Sequence, residues 1–327
     1  MNNYKCQINN ATMRLDSPVV VYQMGKVGSS SIYESLRRLY NNKNVYHVHY
    51  LNPKYISRIV EKRTRLGLSI PGHIQTSQLV RELIRSESEN LKFISLVRDP
   101  FSRNLSAFFE NIDNFLQHTG TIYFRARAID NIPNESPVRH GIFEALDSIS
   151  GREYCTSVAF YRDVQNESGL VINDIEKQII SNHCMALDES SVEGLIKKFI
   201  SSYNHKVPLL WFDREPKIVL GIDVLKQNFE KDSGFSIYKN RNFELLVLKC
   251  EIADYQKEEI VRGFLNIDRF ELEKKNVGTS KHYNNIYKIF QQSIRFPQVF
   301  VDHICSSEYV KHFYSDEEIH SMMMRWS

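Results

Sequence analysis

The sequence predicts an α/β fold, a central, mostly parallel sheet flanked by helices, and three observations carry this. Pro18–Met24 is a β-branched apolar run closed by a proline before it and a glycine after it, and a Gly/Ser-rich turn then leads into an amphipathic helical pattern. Leu91–Val97 is a second apolar run, ended by Arg98-Asp99-Pro100 and followed by another helical pattern. Glu244–Leu248 is a third, leading into the helical DYQKEEIVRGFL. Strands that alternate with helices argue for a largely parallel sheet, because parallel neighbours need crossover connections.

The elements follow in order. After Pro18–Met24, Ile32, Leu36 and Leu39 recur at helical spacing. Val45–Tyr50 alternates and reads as a short second strand. Residues 53–66 read as a basic helix, Pro71-Gly72 as a turn, and Thr76–Ser86 as a helix. Proline near the start of FSRNLSAFFENIDNFL suits a helix N-terminus. Val207–Phe212 reads as a strand followed by a helix. The last fifty or so residues are aromatic and mostly helical. The weakly patterned stretch 115–200 is expected to be a helical insertion shaping the acceptor site, within one domain spanning 1–327.

Composition narrows the function classes. Of 327 residues, 42% are hydrophobic and 25% charged, enough apolar material for a sizeable core without staples. The net charge of +3 supplies no polybasic field, which disfavours nucleic acid as a partner. Five scattered cysteines without a CxxC pair argue against a disulfide framework or a zinc site, so no metal is expected. No run approaches the ~18 apolar residues of a membrane span. These features together predict a cytoplasmic protein without stable membrane insertion.

The loop Gly25-Lys26-Val27-Gly28-Ser29-Ser30-Ser31 sits where a strand turns into a helix. Backbone N–H groups are left unpaired there and the helix dipole favours an anion. Gly25 and Gly28 tolerate unusual dihedrals and close approach, the three serines add donors, and Lys26 adds a charge. The loop is not a Walker A sequence, in which lysine directly follows the second glycine. Arg98, at the end of the next strand, offers a planar fork suited to a terminal phosphate. Ser106 stands two turns into the helix that follows.

The pair GKVGSSSI and VRDPFSRNLSAFF, each after an apolar strand, is similar to the two phosphosulfate-binding motifs of the PAPS-dependent sulfotransferases, in particular the carbohydrate type. The resemblance implies a P-loop-like sulfotransferase fold and 3′-phosphoadenosine 5′-phosphosulfate (PAPS) as donor. It places Gly25, Lys26, Val27, Gly28, Ser29, Ser30 and Ser31 at the 5′ end of the nucleotide and Arg98 and Ser106 at its 3′-phosphate. It also implies a carbohydrate or glycan acceptor and transfer of the sulfuryl group to a hydroxyl or amine. A second resemblance, over WFDREPKIVLGIDV, ELLVLKCE, NVGTSKHYNNIYKIF and YVKHFYSDEEI, is to a bacterial family of capsular polysaccharide synthesis proteins. That family carries Asn-Lys-Trp-Tyr-Ser near its C-terminus. Here Lys311-His312-Phe313-Tyr314-Ser315 keeps the final Tyr-Ser and an aromatic before it.

Sulfuryl transfer, like phosphoryl transfer, asks a protein for charge stabilisation and a base. Lys26 is the expected stabiliser of the leaving phosphate, with Ser30 or Ser31 holding it in check and no metal needed. His47 and His49 end the second strand, alternation puts both on one face, and imidazole is the natural base near neutral pH. His73 is a further candidate base. Asp213 and Glu215 are expected chiefly to cap a helix. Lys281, in the loop 276–283, is expected to reach the 3′-phosphate. Two other readings stand beside this one. A P-loop-like kinase or NTPase lacks its lysine position and its acidic strand end here; a non-catalytic nucleotide-binding component of capsular polysaccharide assembly would keep the fold and lose the base.

Overall fold

The computed structural model describes residues 17–65, 67–86, 91–110, 203–241, 243–273 and 284–327, with Ile196, Phe199 and Ile200. The expected insertion at 115–200, apart from those three residues, and the loop bearing Lys281 lie outside the described residues. The chain divides into two compact units. One comprises Met1–Arg103, His205–Asn276 and Val299–Arg325; the other comprises Asn104–Asn204, Val277–Gln298 and Trp326–Ser327.

The first unit holds a five-stranded sheet of β1 (Val19–Tyr22), β2 (Val45–Val48), β3 (Leu91–Val97), β4 (Phe235–Asn240) and β5 (Phe243–Lys249). Its spatial order is β2-β1-β3-β5-β4, parallel except for the β4–β5 pair. Register pairs Val21 with His47 on one side and with Ile94 on the other. All four β1 residues, and Phe93, Ile94 and Leu245–Leu248, are fully buried. A sheet covered on both faces requires such continuous apolar runs, and each buried valine or leucine contributes roughly 1.5–3 kcal/mol. The expected α/β class with a mostly parallel sheet is what forms.

Helices connect the strands. These are α1 (Ser29–Leu39), α2 (Pro53–Arg65), α3 (Gly72–Ser86) and α4 (Pro100–Glu110). After residue 203 come α5 (Val207–Arg214), α6 (Pro216–Val219), α7 (Asp254–Leu265), α8 (Asn284–Ser293), α9 (Gln298–Cys305), α10 (Glu308–Phe313) and α11 (Asp316–Trp326). Among the described residues no helix is long and apolar enough to cross a membrane. In the second unit, Phe108, Phe109, Phe199 and Phe290 pack as an aromatic cluster, with ring centroids 4.9 Å apart for Phe108–Phe199 and 5.1 Å for Phe109–Phe290.

Two expectations are corrected, and one strand was unforeseen. Val207–Phe212 is the helix α5, not a strand: its buried side chains Pro208, Trp211 and Phe212 fall at i, i+3 and i+4, and proline occupies the first turn. A six-residue apolar run fits either period until the burial pattern is seen. Pro71-Gly72 is not a free turn, because α3 starts at Gly72 and the Pro71 carbonyl accepts from Ile74 N–H at 2.9 Å. The edge strand β4 was not expected. It is largely half-exposed, so its alternation is carried by little apolar contrast.

The topology positions the site. From β1 the chain crosses to β2 on one side, then returns past β1 to β3 on the other. The loops leaving the carboxyl ends of β1 and β3 therefore diverge, and crevices at such switch points are where α/β sheets bind ligands.

Candidate functional site

Two loops flank that switch point, the one after β1 and the one after β3. After β1 the backbone takes positive φ at Gly25 (80°), Lys26 (63°) and Gly28 (82°). Glycine is favoured at position 28 on two counts. Its φ disfavours a side chain, and an added Cβ would stand 3.1 Å from the Cys250 Sγ at the end of β5. Lys26 adopts the left-handed conformation at a cost of about 1 kcal/mol, and its neighbours hold it there. Arg98 Nη1 donates to the Lys26 carbonyl at 2.9 Å. The buried Arg103 donates to the carbonyls of Met24 (2.8 Å) and Gly25 (3.1 Å). Two guanidinium groups thus engage three successive carbonyls of the loop. At its far end, Gly28 N-caps α1 without any side-chain capping bond, so the first-turn N–H groups of α1 keep their capacity for an anion.

Each residue of the expected motif can now be placed. Val27 is fully buried, so it contributes backbone only. Ser30 and Ser31 are half-buried in the first turn of α1. The buried Ser29 turns instead to His47, with its Oγ 3.2 Å from Nε2. Arg98 is half-buried, and among the described residues its guanidinium makes only the bond to Lys26. Ser106 is half-buried on α4 and belongs to the second unit. Asp99 does not engage Arg98 as its ion-pair partner. It caps α4, accepting from Phe101 N–H (2.9 Å) and the Ser102 hydroxyl (2.7 Å). Tyr309, from α10, clasps the backbone of Arg98 by donating to its carbonyl (3.1 Å) and accepting from its N–H (3.2 Å).

His47 and His49 are brought together as alternation predicts, with ring centroids 5.1 Å apart. The two differ in what they can do. His47 is stacked on Tyr33 (5.0 Å), and its Nε2 faces both the Gln23 amide (3.1 Å) and Ser29. Burial, aided by the charge of His49, holds its pKa down to about 4. His49 Nδ1 stands 3.1 Å from the Gln23 carbonyl and 2.9 Å from the Gln23 side-chain amide. With its proton on Nδ1, His49 donates to that carbonyl and presents the Nε2 lone pair, which has no hydrogen-bond partner among the described residues. Burial lowers the His49 pKa, the bond to the Gln23 carbonyl opposes this, and the charges of His73, Arg103 and Lys26 lower it further. The imidazole is therefore neutral at pH 7 and able to accept a proton. Its ring lies against the loop after β1, since a Cβ on Gly25 would stand 3.9 Å from His49 Cε1.

His73 is exposed in the first turn of α3, close enough for its charge to act on His49. Neither acid after position 212 caps a helix through its side chain. Asp213 pairs with Lys217 (3.3 Å), and Glu215 is buried against Tyr22 and the backbone after β2. Asp213 lies within α5, and Glu215 stands at the N-cap position of α6 with its carboxylate turned away from the helix, toward Tyr22.

Sequence reasoning missed Gln23 and Arg103. Gln23 is 1% exposed at the end of β1; its amide nitrogen lies between the two histidines and its oxygen accepts from Gly25 N–H. A polar residue closing a wholly apolar strand was the available signal. Arg103 lies five residues past Arg98 in the same motif, a spacing that gains meaning only when α4 starts at Pro100. Among the described residues no group of three His, Cys, Asp or Glu side chains is arranged to hold a metal ion.

Comparison with known proteins agrees with this geometry. Residues 9–174, which contain both loops and both histidines, match the model of the sulfotransferase family. Residues 186–315, ending at Tyr314-Ser315, match that of the capsular polysaccharide synthesis proteins with the NKWYS signature. No curated protein and no solved structure gives a significant match. A phosphate-type loop after β1, an arginine after β3 and a family match that spans both lead to one conclusion: the chain belongs to the sulfotransferase family.

Proposed function

We propose that the chain transfers a sulfuryl group from PAPS to a hydroxyl or amine of a carbohydrate acceptor, with His49 as general base. The observation that carries this is the apposition of the phosphate loop and His49. An acceptor oxygen activated at Nε2 would stand beside the group that the loop holds. In the reaction the acceptor oxygen forms a bond to sulfur while the bond from sulfur to the 5′-phosphate oxygen breaks. The acceptor proton passes to His49, and adenosine 3′,5′-bisphosphate leaves. The first-turn N–H groups of α1, with Lys26, stabilise the charge that grows on the leaving phosphate. His47 and Gln23 orient His49 rather than take the proton. Arg98 has donors to spare for the 3′-phosphate. The acceptor is taken as a glycan because the second family match is to capsular polysaccharide synthesis proteins.

The test is a transfer assay with PAPS labelled in its sulfuryl group over a panel of bacterial surface glycans, paired with calorimetry. Adenosine 3′,5′-bisphosphate should bind more tightly than ATP or AMP. Equal affinity for all three would refute the reading.

A further inference from the structure

We propose that Glu215 is a positioning residue for the base: its carboxylate ties the end of β1, which leads into the phosphate loop, to the turn after β2, which carries His49. This rests on the reading of His49 as base. The Glu215 side chain lies in the first unit and is 1% exposed. A single oxygen, Oε2, accepts three hydrogen bonds, from the Tyr22 hydroxyl (2.6 Å), Leu51 N–H (2.8 Å) and Asn52 N–H (2.9 Å). The other oxygen, Oε1, is buried without a partner among the described residues.

That arrangement is costly if all it does is fill space. A buried carboxylate loses its hydration, and a bare oxygen recovers none of it. What the three convergent donors specify is location. Tyr22 is the last residue of β1, immediately before Gln23, which contacts both histidines. Leu51 and Asn52 lie two and three residues past His49. One oxygen therefore fixes both ends of the path from the phosphate loop to the imidazole.

The rest of the turn is held from the same side. Asn52 Nδ2 donates to the Arg214 carbonyl (2.7 Å), and Asn52 Oδ1 accepts from Lys54 N–H (3.0 Å) to start α2. Arg81 donates to the Leu51 carbonyl (2.7 Å), and Trp211 Nε1 reaches the His49 carbonyl (3.4 Å). The backbone polar groups of this turn are thus satisfied largely by side chains, with Glu215 serving two of them at once.

The experiment compares Glu215→Ala, Glu215→Gln and Tyr22→Phe. The imidazole signals of isotopically labelled histidine are followed by NMR, with His49 assigned by its loss in His49→Gln. In Glu215→Ala the His49 resonances should shift and turnover should fall by about 10- to 100-fold, the scale of a misplaced reacting group. The dissociation constant for adenosine 3′,5′-bisphosphate should change by less than about 2-fold, since no loop–nucleotide contact is removed. Glu215→Gln should restore most of the turnover, because an amide oxygen can accept the same three bonds. Should Glu215→Ala fail to fold, Tyr22→Phe removes one of the three donors and should still move the His49 signals. Unmoved His49 resonances in the folded variants would overturn the proposal, as would a Glu215→Gln variant as impaired as Glu215→Ala. The NMR readout needs no turnover, so a wild-type chain that binds no bisphosphate counts against the functional reading alone.

Discussion

The His49 ring rests against Gly25: a Cβ added to that glycine would lie 3.9 Å from His49 Cε1, at ordinary contact distance. Space is therefore not what excludes alanine here; the φ of 80° is. Gly25→Ala should cost about 1 kcal/mol of stability through backbone strain. Relief of that strain would displace the loop beside the base, so nucleotide affinity should fall by more than the fold loses. Thermal unfolding and calorimetry on the same sample measure the two effects.

The two histidines should separate in kinetics. His49→Gln is expected to lower turnover by roughly 100-fold or more, as loss of a general base does, while bisphosphate affinity stays unchanged. His47→Gln keeps a side chain able to face Gln23 and Ser29 and should cost less. A larger loss at His47 than at His49 would reverse the assignment.

Arg98 and Arg103 should differ in the kind of affinity they lose. On the proposed reading Arg98→Ala should erase the preference for adenosine 3′,5′-bisphosphate over AMP, because the fork assigned to the 3′-phosphate is gone. Arg103→Ala leaves the Met24 and Gly25 carbonyls unpaired. It should destabilise the fold by about 1–3 kcal/mol and weaken both nucleotides alike. Titrating each variant with both ligands distinguishes the two outcomes.

Protons should act on rate and on stability through the same pair. The His49 pKa is lowered from 6.5, so the base form persists at neutral pH and the acid limb of kcat/KM should fall below pH 6.5. His47 binds a proton near pH 6.5 in the unfolded chain and only near pH 4 when folded. The unfolded state therefore holds more protons between those values. Stability should decline as pH falls from 6.5 toward about 4, by on the order of 2–3 kcal/mol from this residue. Urea unfolding across that range checks the sign.

Much of the site was legible because its signals are local. The strand–GKVGSSS–helix and strand–RDP–helix patterns lie within continuous stretches, and the His-x-His spacing puts two rings on one face whatever the sheet does. The choice between the two rings was not legible, since it depends on Gln23 and Ser29 reaching His47 while His49 keeps one nitrogen free. Nor was the role of Glu215, whose partners lie 163 to 193 residues earlier in the chain. The reading of Val207–Phe212 as a strand failed for a related reason: a short apolar run does not state which surface will bury it.

The sequence by itself determined the α/β class, the parallel core strands and the glycine-bearing turn after β1, because buried parallel strands and glycine-tolerant turns leave marks at fixed short spacings. Only the tertiary structure decided what surrounds that loop. The parallel pairing of β2 with β1 brings His49 onto Gly25, the crossing past β1 to β3 brings Arg98 and Arg103 onto the loop carbonyls, and distant carboxylates and tyrosines fix the turns that carry them. Such contacts are set by how the chain crosses the sheet, and no spacing along the chain encodes them.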